Sequence, residues 1–111
     1  MPGKFVLKQT RNKKFMFNLK ATNGQIILTS ERYESKKAAQ NGIKSVRRNA
    51  ANEKRFERKE SRKGEPYFVL KAANGEPIGK SEMYKANQGR ENGIKSVAKN
   101  APDATLVDET A

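Results

Sequence analysis

The chain states one pattern twice, 51 residues apart and without a gap, so it has to fold as something with two equivalent halves. Phe17-Asn18-Leu19-Lys20-Ala21-Thr22-Asn23-Gly24 returns as Phe68-Val69-Leu70-Lys71-Ala72-Ala73-Asn74-Gly75, and Asn41-Gly42-Ile43-Lys44-Ser45-Val46 returns unchanged from Asn92 to Val97. Two copies are too few for a solenoid, which needs about three stacked repeats for a continuous core. A half of roughly 50 residues buries little of its own surface. The halves are therefore expected to fold together.

Each copy opens on a strand, Phe5 to Thr10 and Phe56 to Ser61, followed by a polar turn and a second strand, Phe15 to Ala21 and Pro66 to Ala72. Asn23-Gly24 and Asn74-Gly75 are the sharpest hairpin signal in the chain, because both residues accept the positive φ of tight turns. A third strand, Gln25 to Thr29 and Glu76 to Lys80, completes a meander. Ser35 stands where an N-cap opens a helix. Ala39, Ile43, Val46 and Ala50 then recur at the spacing of one helical face. The unit reads β-β-β-α.

A three-residue loop, Thr22-Asn23-Gly24 with Gly24 left-handed as a G1 bulge, sets Leu19 opposite Ile27. This register gathers Phe17, Leu19, Ala21 and Ile27 on one face, which the helix should cover. The other face then holds Met16, Asn18, Lys20, Ile26 and Leu28, with Tyr67, Val69, Lys71 and Pro77 in the second copy. Lys8 and Lys59 join them where Phe5 and Phe56 point inward. Two features inside the copies ask for a reason. Ser-Glu-x-Tyr (Ser30 to Tyr33, Ser81 to Tyr84) reads as a turn whose tyrosine packs on the first helical turn, in the manner of a hydrophobic staple. Asn-Gly inside a helix is unfavourable, since a mid-helix Gly costs about 1 kcal/mol relative to Ala. Its recurrence points to close approach over Gly42 and Gly93, with Asn41 and Asn92 bonding across to the other unit or to a ligand.

Cysteine and histidine are both absent. That removes disulfides, thiolate metal sites, the usual general base and the commonest metal ligand. Among shared positions only Glu31/Glu82 and Tyr33/Tyr84 titrate usefully, and no phosphate loop, dinucleotide fingerprint, zinc spacing or calcium loop occurs. The expectation is a protein that is not an enzyme, with no catalytic residues, cofactor or metal. No apolar stretch approaches the roughly 20 residues of a membrane span, and Met1 to Lys8 has no signal-peptide core. A cytoplasmic location without membrane contact follows as the default.

These signatures resemble the YegP-like family, small bacterial proteins of unassigned function. The carrying residues are Phe17-x-Leu19-Lys20-Ala21-x-Asn23-Gly24, Ser30-Glu31-x-Tyr33 and Asn41-Gly42-Ile43-x-Ser45-Val46-x-x-Asn49-Ala50, each found again in the second copy. The resemblance spans about Lys4 to Ala101. It implies an α+β fold in which two β-β-β-α units build one continuous antiparallel sheet and exchange their C-terminal helices across one face. It supplies no catalytic residue or cofactor. The expected organisation is a first repeat at 1–51, a second at 52–101 and a disordered acidic tail at 102–111, outside the motif, in a monomer with a pseudo-twofold axis.

Charge is the functional clue. The net charge is +12; residues 1–51 hold 12 basic against 2 acidic side chains, and the remainder 12 against 10. A surplus carried almost wholly by one copy points to an anionic partner, nucleic acid or another polyanion. Candidate contacts are Lys8, Arg11, Lys13, Lys14, Lys20, Lys36 and Lys37, with Lys59, Lys71 and the stacking ring of Tyr67 from the second copy. Lys36 and Lys37 oppose the dipole at the start of the first helix, a conflict that a bound anion would relieve. The plain alternative is a basic surface that keeps an exposed sheet soluble. The competing function is a structural or stress-related scaffold whose uncovered face contacts a protein or small molecule.

Overall fold

The copies fold as the repeat requires. The first gives β1 (Lys4–Gln9), β2 (Phe15–Lys20), β3 (Ile26–Ser30) and helix α1 (Lys36–Asn49); the second gives β4 (Phe56–Glu60), β5 (Pro66–Lys71), β6 (Pro77–Lys80) and α2 (Asn87–Asn100). The computed structural model describes residues 3–110. Ser35 caps α1 as expected, its Oγ accepting from the Ala38 N–H at 3.0 Å. Strand β3 pairs with β6, and Thr29 lies opposite Lys80, its own equivalent under the repeat. The pseudo-twofold axis therefore passes through that pair.

A seventh strand changes the sheet. Residues 102–111, expected to be a disordered tail, contain β7 (Thr105–Asp108), which pairs parallel with β1 and gives the order β4-β5-β6-β3-β2-β1-β7. The sheet is mixed rather than wholly antiparallel. Pro102 opens the 3-10 turn after α2, and Thr105-Leu106-Val107 is a β-prone run that finds Phe5 and Val6 as neighbours.

The hairpin loop matches its expectation, but the strands beyond it do not. Ala21 N–H donates to Gln25 at 2.9 Å, Gly24 N–H to Ala21 at 2.9 Å, and Gly24 has φ +85. A bulge then pairs Leu19 with Leu28 and Lys20 with Ile26, leaving Ile27 extra. Leu28 thus belongs to the core, 1 % exposed, and not to the open face. The bulge lets two consecutive apolar residues, Ile27 and Leu28, both reach the interior. Near the axis the copies part company: a Cβ on Gly79, the equivalent of Leu28, would lie 3.2 Å from Leu28 Cγ. That space holds one leucine only.

One apolar cluster contains side chains of both halves, with Phe17 and Phe68 fully buried. Each half contributes the same aromatic trio. Phe5 meets Phe17 edge to face at 5.8 Å and Phe56 meets Phe68 at 5.6 Å; Tyr33 stacks on Phe17 and Tyr84 on Phe68, 9° and 10° from parallel. Such pairs contribute about 0.5–1.5 kcal/mol beyond their burial. Tyr84 does border the first helical turn, its Cδ1 3.3 Å from where a Cβ on Gly89 would stand. Both phenol ends reach on under the Asn-Gly turn, where a Cβ on Gly42 would stand 2.8 Å from Tyr33 Cζ and one on Gly93 2.8 Å from Tyr84 Cζ. The serines of the same motif continue the ladder: Ser30 Oγ accepts from Phe17 N–H at 2.8 Å and Ser81 Oγ from Phe68 N–H at 3.0 Å. Asn41 and Asn92 are exposed and form no bond to the other unit among the described residues; Asn92 accepts from Gln88 of its own helix at 3.0 Å.

Each helix starts on its own half and ends on the other. Gly42 rests on Tyr33 and Phe17, whereas Ser45, Arg48 and Asn49 border a cleft against the 72–74 loop of the second half. Helix α2 does the same, from Tyr84 to a cleft against Ala21, Thr22 and Asn23. The exchange of helices is a diagonal crossing. No helix among the described residues is long and apolar enough to cross a membrane.

Candidate anion-binding surface

With both helices on one face, the other face of the sheet carries no second layer, although Val6 and Asn18 at the middle of its first half are buried. Strand alternation turns one row of residues outward across the whole sheet: Val107, Val6, Asn18, Thr29, Lys80, Val69 and Glu57, each paired with the next. The lysines sit in the flanking rows. Lys4 faces Lys20, Lys8 faces Met16, and Lys59 faces Tyr67. Five of the ten residues chosen from sequence, Lys8, Lys20, Lys59, Tyr67 and Lys71, thus share this face.

The two halves of the face differ electrically at the position between the lysines, while Glu109 borders the cleft of Lys4, Val6 and Lys20 in the first half. In the second half Glu57 stands between the lysines, 3.0 Å from Lys71 Nζ and 3.5 Å from Lys59 Nζ. The Lys71 ammonium beside it outweighs desolvation and holds the Glu57 carboxyl below its ordinary value. In the first half that position is Val6, and no ion pair reaches Lys8 or Lys20 among the described residues. Lys4 and Lys80 share the face and also lie outside every ion pair among those residues; alternation from Lys8 and Lys20 marks both as outward once the register is known.

The other five candidates lie elsewhere. Arg11 and Lys13 are exposed at the β1–β2 turn, and Lys14 beside them is paired with Glu34. Lys36 and Lys37 are on α1, in the helix layer, so they cannot act with Lys20 on one flat surface. The anion expected at the start of that helix is answered from within the chain: Lys36 Nζ lies 2.6 Å from Asp108 of β7. That contact, with bonds from Thr110, holds the Asp108 carboxyl down to about 2. Arg47, in the last turn of α1, lies 5.1 Å from the Phe5 ring centroid and is structural.

Lys13 carries a further mark. Its φ is +63, a region that its equivalent, Gly64, occupies at +79 without strain. A left-handed non-glycine residue costs roughly 1–2 kcal/mol, and the extra freedom of Gly in the unfolded chain returns about 0.5–1 of that. Lys13→Gly is expected to raise the thermal midpoint by a few degrees; a drop in a melting curve would contradict this account.

Two equivalent units sharing one mixed sheet and one core define a duplicated α+β protein. The family model described as "Domain of unknown function (DUF1508)" matches residues 11–57 and again 61–108, and the chain belongs to that family. Its relatives include a UPF0339 protein of Bordetella pertussis, 54% identical over 110 residues that cover 99% of this chain and 98% of the relative. UPF0339 protein YegP of Yersinia pestis is 48% identical over 97% of this chain and 96% of its own. The solution NMR structure of the protein of unknown function yegP from E. coli superposes with a TM-score of 0.95 at 49% identity, covering 100% of this chain and 96% of that one. The resemblance read from the motifs holds. The second family match runs through β7, so the segment after Ala101 is part of the family unit and not an appendage.

Proposed function

We propose that this chain is a non-enzymatic binding module that receives a polyanion, nucleic acid in the first instance, on the open sheet face of its first half. The observation that carries the reading is Val6 in the place of Glu57: it leaves Lys8 and Lys20, with Lys4 beside them, without the carboxylate that occupies Lys59 and Lys71. Burial, and secondarily Glu31 and Glu82, push the phenols of Tyr33 and Tyr84 above their ordinary value, which supports a packing role for the shared tyrosines over an acid–base one.

Binding through phosphates releases counterions, with a slope of about −0.7 per neutralised phosphate for a single strand. Titration of the protein with a labelled single-stranded oligonucleotide at two ionic strengths tests the reading. Lys8→Ala with Lys20→Ala is expected to reduce the salt slope by about 1.4. Glu57→Gln should tighten binding by freeing Lys59 and Lys71. Affinity indifferent to salt and to these changes, but lost on Tyr67→Ala, would replace the polyanion with a protein or small-molecule partner.

A further inference from the structure

The two outer edges of the sheet are built differently. At one edge, β4 presents Glu57, Arg58, Lys59 and Glu60, and a run of charged side chains of this kind deters strand addition. Arg58 also narrows the space between that strand and α2 to a cavity of about 210 Å³, with its Nη2 2.7 Å from Glu91 and 3.1 Å from Glu53. The other edge is guarded less: β7 is short, and its one charged residue, Asp108, is paired with Lys36. Strand β7 carries no lysine, proline or bulge and keeps a regular register with β1. The N–H groups of Thr105 and Glu109 donate inward, to Gly3 at 3.0 Å and Leu7 at 2.8 Å. Alternation then turns the N–H and C=O of Leu106 and Asp108 away from the sheet.

Beside this open edge lies a groove. Leu106 is 42% exposed, one of two large apolar side chains so exposed among the described residues. Between it and α1 is a cavity of about 580 Å³ floored by Leu106 and Ile43, along which stand Lys37, Lys44 and Arg47 and, among the described residues, no carboxylate; Asp108, paired with Lys36, lies outside its lining. Lys37 and Lys44 take part in no ion pair among the described residues. Free backbone groups, an apolar floor and unanswered cations thus meet along one line.

We propose that this edge takes an extended acidic–apolar peptide of a partner protein as an eighth strand, by β-augmentation. Main-chain bonds to Leu106 and Asp108 supply affinity; an apolar side chain covers Leu106 and Ile43, and carboxylates on the same face of the peptide reach Lys37 and Lys44. The unpaired Lys37 and Lys44 favour an acidic occupant over a second copy of the chain, whose β7 offers Asp108 already engaged by its own Lys36 and would bring a second cationic groove alongside.

The test uses the whole protein and a short fluorescein-labelled peptide of alternating valine and glutamate. Saturable anisotropy is expected, with amide shifts centred on Leu106 and Ile43 in a heteronuclear NMR titration. Leu106→Lys, and separately Lys37→Glu with Lys44→Glu, should each weaken binding about tenfold or more at an unchanged melting temperature, a loss of about 1.4 kcal/mol per decade. The same peptide N-methylated at alternate amides should not bind. Equal binding of the methylated peptide, shifts confined to the open face around Lys8 and Lys20, or no saturation at low salt would each overturn the proposal. So would a dimer in sedimentation velocity that Leu106→Lys dissolves, which would make the edge a self-interface.

Discussion

Separated at the 51/52 boundary, neither half of this chain will fold as a monomer. The buried residues of both halves form one cluster, and each helix spends its C-terminal turns against the other half's hairpin. Cutting there removes from residues 1–51 the loop that the end of α1 packs on, and the tail strand that covers β1. The whole folding free energy, about 5–15 kcal/mol for a domain of this class, is at stake. What structure appears in a fragment should rise with concentration. The seam is pseudo-symmetric at Thr29 and Lys80, so a first-half dimer would set Thr29 against Thr29, whereas a second-half dimer opposes two lysines. Circular dichroism melts over a range of concentrations decide the matter. A cooperative, concentration-independent transition in either fragment would mean that each half encloses its own nucleus.

Gly42→Ala should destabilise the protein by about 1–3 kcal/mol, against the sign that helix propensity predicts. Alanine in a helix is favoured over glycine by about 1 kcal/mol, but here its Cβ would stand 2.8 Å from Tyr33 Cζ and 3.0 Å from Phe17 Cε2. The phenol cannot easily yield. Its ring is stacked on Phe17, and its backbone is held by Phe15 through bonds of 2.7 and 2.8 Å. A melting point lower by about 4–8 °C per kcal/mol is expected, and Gly93→Ala should behave alike, with Tyr84 Cζ at 2.8 Å. Removing the ring with Tyr33→Ala should shrink the penalty of Gly42→Ala, a coupling that a double-mutant cycle measures. Gly89→Ala provides the milder contrast. Its Cβ would stand 3.3 Å from Tyr84 Cδ1, a contact that a small shift relieves. Its equivalent is already Ala38, so the penalty should be far smaller than at Gly42. A neutral or stabilising Gly42→Ala would remove the helix–tyrosine contact from this account.

Much of this was legible in the chain because the repeat supplied two readings of each local rule. Asn-Gly marked both hairpins, and Gly24 and Gly75 do take positive φ, at +85 and +86. The Ile43 and Val46 stripe faces the core as its spacing required. Glycine at positions 42 and 93 announced close approach, although not that a tyrosine fills the space. The bulge at Ile27 was missed because strict alternation has no place for an extra residue. The β7 strand was missed because a four-residue run beside acidic residues looks like tail until an edge is there to receive it. The candidate cations were recognised by type, but half of them lie off the sheet face.

Local sequence determined which residues needed burial, where the chain turned and that the molecule had two equivalent halves, because periodicity and turn chemistry act between near neighbours along the chain. Only the tertiary structure decided which lysines stay unneutralised, which sheet edge stays open and why a helix carries glycine. Those outcomes depend on side chains that meet across the fold: Glu57 with Lys71, β7 with β1, Tyr33 with Gly42. No spacing in the chain records such meetings.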